Sequence, residues 1–277
     1  MSKRKGFTFI EVSLFLAVTA ALFIGIALGM QNSIFRQRYD DSVQSFFEFM
    51  RSIYSQVSNP QSPGEGDSGY AIYGKLIVFG ENTDMLGNAI NTAEEQPIFV
   101  YDVVGRADGT YTISTGRAAQ LLANLGANVV FLNKNASGRV TSASLVSPEK
   151  FDVKWGARIE NRDGSLAERS IMVIRHPRSG TISTLVRSGA IQVNREVKLA
   201  NEAYASGRTS SIENLLIQYL NDNSFNDAEV VDFCVNPYGP DDNGSIPRTN
   251  IRILSNARNA SSVELIESDS SDNRCLN

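Results

Sequence analysis

From Val12 to Met30 the chain carries no charged side chain, and Phe7–Ile10 extend this apolar run forward past a single glutamate, Glu11. About 20 helical residues cross the roughly 30 Å hydrocarbon core of a bilayer, and no other stretch of this sequence is long and apolar enough to do so. Lys3, Arg4 and Lys5 precede the run. Positive flanks stay cytoplasmic, which predicts a single-pass protein with a cytoplasmic N-terminus and its remaining bulk outside the cytoplasm. A secretory signal peptide fits poorly, because it ends in small residues after its apolar region. Here the only reasonable cut, between Gly6 and Phe7, lies ahead of that region. Cutting there would remove the charges and keep the helix.

A lone carboxylate inside lipid costs about 2.5–3.5 kcal/mol on insertion scales, so Glu11 should have a partner. A cut after Gly6 would create an α-amine on Phe7, one helical turn before Glu11. An ammonium and a carboxylate attract strongly in a low dielectric, and each offsets the other's desolvation. The plainer alternative is an interfacial glutamate near the end of an anchor helix.

The segment "KGFTFIEV" resembles the processing site of type IV pilin-like proteins, a family that includes pilins and the pseudopilins of secretion and DNA-uptake machines. The resemblance implies that a prepilin peptidase cuts between Gly6 and Phe7 and that Phe7 is N-methylated. It also implies that Glu11 pairs with the N-terminus of a neighbouring subunit, setting register during assembly. Implied partners are other pilin subunits, membrane lipids and an inner-membrane assembly platform. The mature protein would reside in a cell-surface filament. Gly25 and Gly29 form a G-x-x-x-G pair that permits close helix approach, although glycines also occur in membrane helices without such a role. Many major pilins carry a proline in the buried helix; this chain has none before Pro60.

The helical pattern continues past the apolar run. Phe35, Tyr39, Val43, Phe46, Met50, Ile53 and Val57 recur at spacings of four and three, while Arg36, Arg38, Asp40, Asp41, Glu48 and Arg51 occupy other faces. This is an amphipathic helix with one apolar stripe. Pro60 ends it and disfavours helix at Asn59. One helix of some 75 Å is therefore predicted from Phe7 to about Val57. The expected organisation is a leader (1–6), a membrane and assembly helix (7–30), its amphipathic continuation (31–58), a linker (59–69), a β-rich globular domain (70–200) and a C-terminal extension (201–277).

The expected fold class is α+β: the long helix packed on an antiparallel sheet, as in pilin-like folds, with an α/β extension closed by a disulfide. "YAIYGKLIVFG", "IFVYDVV", "TYTIST", "NVVFL", "SASLV", "FDVKW", "AEVVDFCV" and "TNIRILS" read as strands. "IFVYDVV" and "TYTIST" should form a hairpin about Asp108-Gly109. "RSIMVIR" and "TISTLVRSG" form the clearest hairpin, with Pro177 and Gly180 in its turn. "AAQLLANLG" and "SSIENLLIQYLND" read as helices, the second capped by Ser210 or Ser211 with Glu213 in its first turn. Cys234 and Cys275, an even pair in an exported chain, read as a disulfide; two separate buried thiols are the alternative.

Charge is unevenly placed although the whole chain is only −4. Lys150–Lys198 holds ten basic and five acidic residues, and the stretch from Leu199 onward holds five basic and twelve acidic. Arg158, Arg162, Arg169, Arg175, Arg178 and Arg187 lie in the basic stretch. Arg175, Arg178 and Arg187 are the candidate nucleic-acid contacts, set against a scattered solvated face.

No catalytic constellation emerges. Gly69, Gly74 and Lys75 match phosphate-loop spacing, but Leu76 stands where a magnesium-binding hydroxyl belongs. His176 is the only histidine and lacks a nucleophile motif beside it. One histidine and two separated cysteines are too few for zinc. Asp241, Asp242 and Asn243 offer oxygens without the alternating pattern of a calcium loop. No metal and no cofactor are expected. The reading is a structural subunit, of minor type, that is a substrate of prepilin peptidase and not an enzyme. The alternatives are a type II secretion pseudopilin, a DNA-binding uptake pilin and a monomeric membrane-anchored binding protein.

Overall fold

The computed structural model describes residues 8–59, 70–82, 84, 88–90, 96–106, 132–134, 140–145, 149–176, 179–193, 225–227, 230–237, 248–266 and 275. Gly6, Phe7, the two predicted helices after α1, strand "TYTIST" and loop residues Asp241–Asn243 lie outside them.

Helix α1 spans Phe9–Ser58 without a break, 50 residues. Thr8 caps its start, and the residue before Pro60 closes it. Its two halves live in different surroundings. Phe9–Ile26 is apolar enough to cross a membrane, and no residue of it is buried in the described structure. From Tyr39 onward the helix turns its apolar stripe into the core. Tyr39, Val43, Phe46, Met50, Ile53 and Val57 are buried as the spacing predicts, and Phe49 and Tyr54 widen the stripe. Phe35, predicted to open it, is 47% exposed. The buried core begins along the helix at Tyr39. There the phenol donates to the Val235 carbonyl (3.0 Å) and accepts from the Thr249 N–H (2.7 Å).

Twelve described strands follow: β1 (Tyr70–Phe79), β2 (Ile98–Arg106), β3 (Leu132–Lys134), β4 (Val140–Leu145), β5 (Glu149–Phe151), β6 (Arg158–Glu160), β7 (Arg169–Arg175), β8 (Ile182–Ser188), β9 (Asn226–Asp227), β10 (Val231–Asn236), β11 (Thr249–Ile253) and β12 (Val263–Ile266). They form a six-stranded sheet ordered β5-β2-β1-β7-β8-β9, a four-stranded sheet ordered β12-β11-β10-β6, and the pair β3-β4. Every described pairing is antiparallel.

The long helix packs against both larger sheets at once. Ile77, Phe79, Ile171 and Val173 from one sheet, and Ile159, Phe233, Val235 and Ile251 from the other, share a single apolar cluster with α1. Phe46 stands at its centre, edge-on to Phe79 (6.2 Å between centroids) and to Phe233 (5.7 Å). Burying such a side chain is worth about 1.5–3 kcal/mol. Residue 200 does not separate two cores: β6, before it, pairs with β10, after it, with Ile159 opposite Val235.

The predicted strand over "FDVKW" stops early. β5 ends at Phe151, and Lys154–Gly156 form a 3-10 turn in which Trp155 has φ 60° and ψ 27°. The turn is tied down where the Lys154 carbonyl accepts from the Ser42 hydroxyl (2.7 Å) and the Ala157 N–H (3.2 Å). Gly74 sits at a register irregularity in β1, where a Cβ would stand 2.5 Å from the Val173 carbonyl oxygen. Close strand approach therefore demands glycine there.

Candidate functional site

The start of α1 gives Glu11 a partner within its own chain. Its carboxylate accepts from the Thr8 N–H at 2.8 Å and the Thr8 hydroxyl at 3.0 Å. The Glu11 N–H donates to the Thr8 hydroxyl oxygen at 3.3 Å. This reciprocal capping box satisfies two N-terminal donors that the helix itself leaves open. The spacing Thr8-x-x-Glu11 is the sequence signature of such a box. Ahead of the cap, Gly6 and Phe7 are outside the described residues. Gly25 is exposed, and a Cβ there would meet nothing within 4 Å among the described residues. Gly29 lies within α1.

At the far end of the chain, Cys234 and Cys275 are joined in a disulfide, 41 residues apart with a Cα separation of 5.6 Å. Alternation along β10 explains what surrounds it. Val231, Phe233 and Val235 face the core, so Asp232, Cys234 and Asn236 share the reverse face with Arg252 and Asn250 of β11 and Glu160 of β6. That face is polar yet buried. Asp232, 4% exposed, accepts from Arg252 Nε (2.8 Å), Asn250 Nδ2 (2.9 Å) and Arg162 Nε (2.8 Å). Burial pushes its carboxyl up, but the bonds from Arg252, Asn250 and Arg162 prevail and hold it below the ordinary carboxylate range. Glu160 accepts from Asn236 Nδ2 at 2.9 Å and pairs with Arg248 at 3.6 Å.

Beside this network lies an open cleft of about 850 Å³ lined by Arg162, Arg169, Arg187, Asp163, Glu168 and Asp232, with Ser188 and Ser255. The three guanidinium groups face three carboxylates, so the cleft offers no surplus of charge. Arg169 donates to the Asn161 side-chain oxygen, and its guanidinium carbon stands 5.3 Å from the centroid of Phe233. Burial lowers its pKa against the opposing pull of Asp232. Among the described lining residues no histidine or cysteine stands with Ser188 and Ser255.

Of the candidate nucleic-acid contacts, the two that are described, Arg175 and Arg187, are not brought together. They lie near opposite ends of the β7–β8 hairpin, opposite Ile182 and Ser170 respectively. Arg175 donates to the Ser58 carbonyl at the end of α1, whereas Arg187 lines the cleft. Arg178 is outside the described residues. Arg158 opens β6, and Arg162 follows its last residue by two positions.

Other sequence candidates resolve into structural roles. Gly74 and Lys75 belong to β1, and Lys75 pairs with Asp102 of β2 at 2.5 Å. His176 Nδ1 accepts from the Ser179 N–H at 3.2 Å, which closes the β7–β8 turn. Sequence reasoning missed the fully buried Glu81, whose carboxylate accepts from Tyr101 at 2.5 Å, with burial and then Glu81 raising the phenol's pKa. It also missed Trp155 and the partners of Asp232. No protein-family model, curated protein or solved structure matches the chain.

Proposed function

We propose that the chain is a structural subunit, of minor type, of a type IV pilus-like filament, processed after Gly6 by a prepilin peptidase. The observation that carries this reading is the division of α1. One uninterrupted helix gives its second half to the core of the body, while Phe9–Ile26 is left uncovered by the described chain. An apolar helical stretch of 18 residues with none of them buried requires lipid, other helices, or each in turn. A subunit stored in a membrane and then packed into a helical filament core uses both coverings. The "KGFTFIEV" segment supplies the processing signal, and the disulfide accords with an extracytoplasmic body.

Glu11 has a role at each stage. In the unassembled chain its carboxylate is held by Thr8. In the filament it turns to the Phe7 ammonium of an adjacent subunit. Separation of Arg175 from Arg187 weighs against a continuous DNA-binding strip. The test is mass spectrometry of protein from its native host: an N-terminus at methylated Phe7 supports the reading, and retention of Met1–Gly6 on surface-exposed protein rejects it.

A further inference from the structure

The sole tryptophan is where an ordinary soluble body would not place it. Trp155 is 57% exposed, although the core beside it is densely aromatic. Its backbone is left-handed, a conformation that costs energy for a bulky side chain and points to a constraint other than packing. The turn that carries it is anchored to α1 through Ser42, and the Arg38 guanidinium lies over its ring, 4.9 Å from the centroid. Tyr39, next along α1, is the first residue of the core. Trp155 therefore stands on the rim of the body from which the apolar half of the helix emerges.

Axial distances place that rim. Phe9 to Phe35 is 27 residues, about 40 Å of helix, against roughly 40–45 Å for a bilayer with its headgroups. Ile34 and Phe35 are still 41% and 47% exposed. Arg36 and Arg38 are the first charges after Glu11, and Asp40 and Asp41 follow only further from the apolar half. Lys154 is exposed on the same turn as Trp155. Along α1 the cations thus lie nearest the apolar half and the carboxylates behind them, with the indole against Arg38: the arrangement of a headgroup-layer anchor.

We infer that Trp155, stacked on Arg38, seats the body in the phosphate-bearing headgroup layer of the membrane, fixing how the head stands on its helix before assembly. This rests on the reading of α1 as a membrane anchor, and the test separates the two. The full chain is reconstituted in phosphatidylcholine vesicles with and without phosphatidylglycerol. Flotation reports anchoring. Emission of the single tryptophan, quenched by lipids brominated near the headgroup or deep in the acyl chain, reports its depth. Expected are flotation, strong quenching from the shallow position, weak quenching from the deep one and shielding from aqueous iodide. Arg38→Glu should float and keep its thermal melt, yet lose most of the shallow quenching; Arg38→Gln serves if the glutamate variant melts early. A chain that floats with Trp155 open to iodide and unquenched by either lipid overturns the inference and leaves the anchor intact. Failure to float overturns both. Shielding that depends on protein concentration, without lipid quenching, assigns the surface to a second copy and overturns the lipid seat.

Discussion

Asp232 shows how much a single residue can hold. Its carboxylate joins Arg162, Arg252 and Asn250 on the reverse face of β10, so Asp232→Asn leaves two guanidinium groups without their counter-charge. The expected loss is about 3 kcal/mol in urea denaturation, since removing one partner of a buried pair strands the other. The pH dependence follows from the lowered pKa. The stabilisation is complete above the unfolded value of about 3.9 and disappears as pH falls through the folded value. Wild-type stability should therefore drop below about pH 4 more steeply than that of Asp232→Asn, which denaturation midpoints across the acid range would check. At the alkaline side Tyr54, which shares a hydrogen bond with Thr184, is pushed up to about 12 by burial. Its contribution is complete below about pH 10 and lost as pH rises through the folded value. Trp155 should behave oppositely to a core aromatic. Trp155→Gly relieves a left-handed φ and removes an exposed cation–π contact, so its stability should change by less than about 1 kcal/mol, measured by thermal melt.

Among the elements, β1 and β10 are the most constrained. β1 is central in the six-stranded sheet, and Gly74 is where its neighbour β7 comes closest. Gly74→Val should cost about 2–3 kcal/mol in denaturation midpoint, because the clash is with backbone and not with a flexible side-chain end. β10 is buried along its whole length and is stapled to Cys275. Replacing both cysteines by serine frees the intervening chain, and on the chain-entropy model costs about 4 kcal/mol. Comparison of urea curves for the oxidised, reduced and substituted protein measures it. The apolar stripe of α1, the β7–β8 hairpin and the cysteine pair were legible because each is a local pattern: a period of 3.6, a period of 2 with turn residues between, and an even count of thiols. β6, β9 and β12 were not, since strands of two to four residues carry too few alternations to stand out.

On the scale of the molecule, the body and the apolar half of α1 are separable in energy. Every α1 residue in the core lies at or beyond Tyr39, and none of Phe9–Ile26 is buried among the described residues. A chain beginning at Ile34 should therefore be water-soluble, unfold cooperatively and melt within a few degrees of the detergent-solubilised full-length protein. A chain beginning after Phe46 should fail to fold, because the centre of the aromatic cluster would be gone. Circular dichroism and size-exclusion chromatography distinguish these outcomes. For assembly, Glu11→Ala should insert into membranes normally but be depleted from sheared surface fibres. Undiminished incorporation would remove the intersubunit role and leave Glu11 as part of a helix cap.

The sequence by itself determined that a long helix divides into an apolar and an amphipathic half, that strands follow it, and that two cysteines are available to pair. Those properties reside in neighbouring residues, where spacing and hydrophobicity act without knowledge of the rest of the chain. Only the tertiary structure decided that both sheets close on the same helix and that the core begins at Tyr39 and not Phe35. It alone joined Asp232 to Arg162, 70 residues away, and set Arg187 in a cleft far from Arg175. It also stopped the strand at Phe151 so that Trp155 could stand against Arg38. These depend on which faces meet after collapse, and contacts between distant residues are chosen by shape and by shared burial, which no local period encodes.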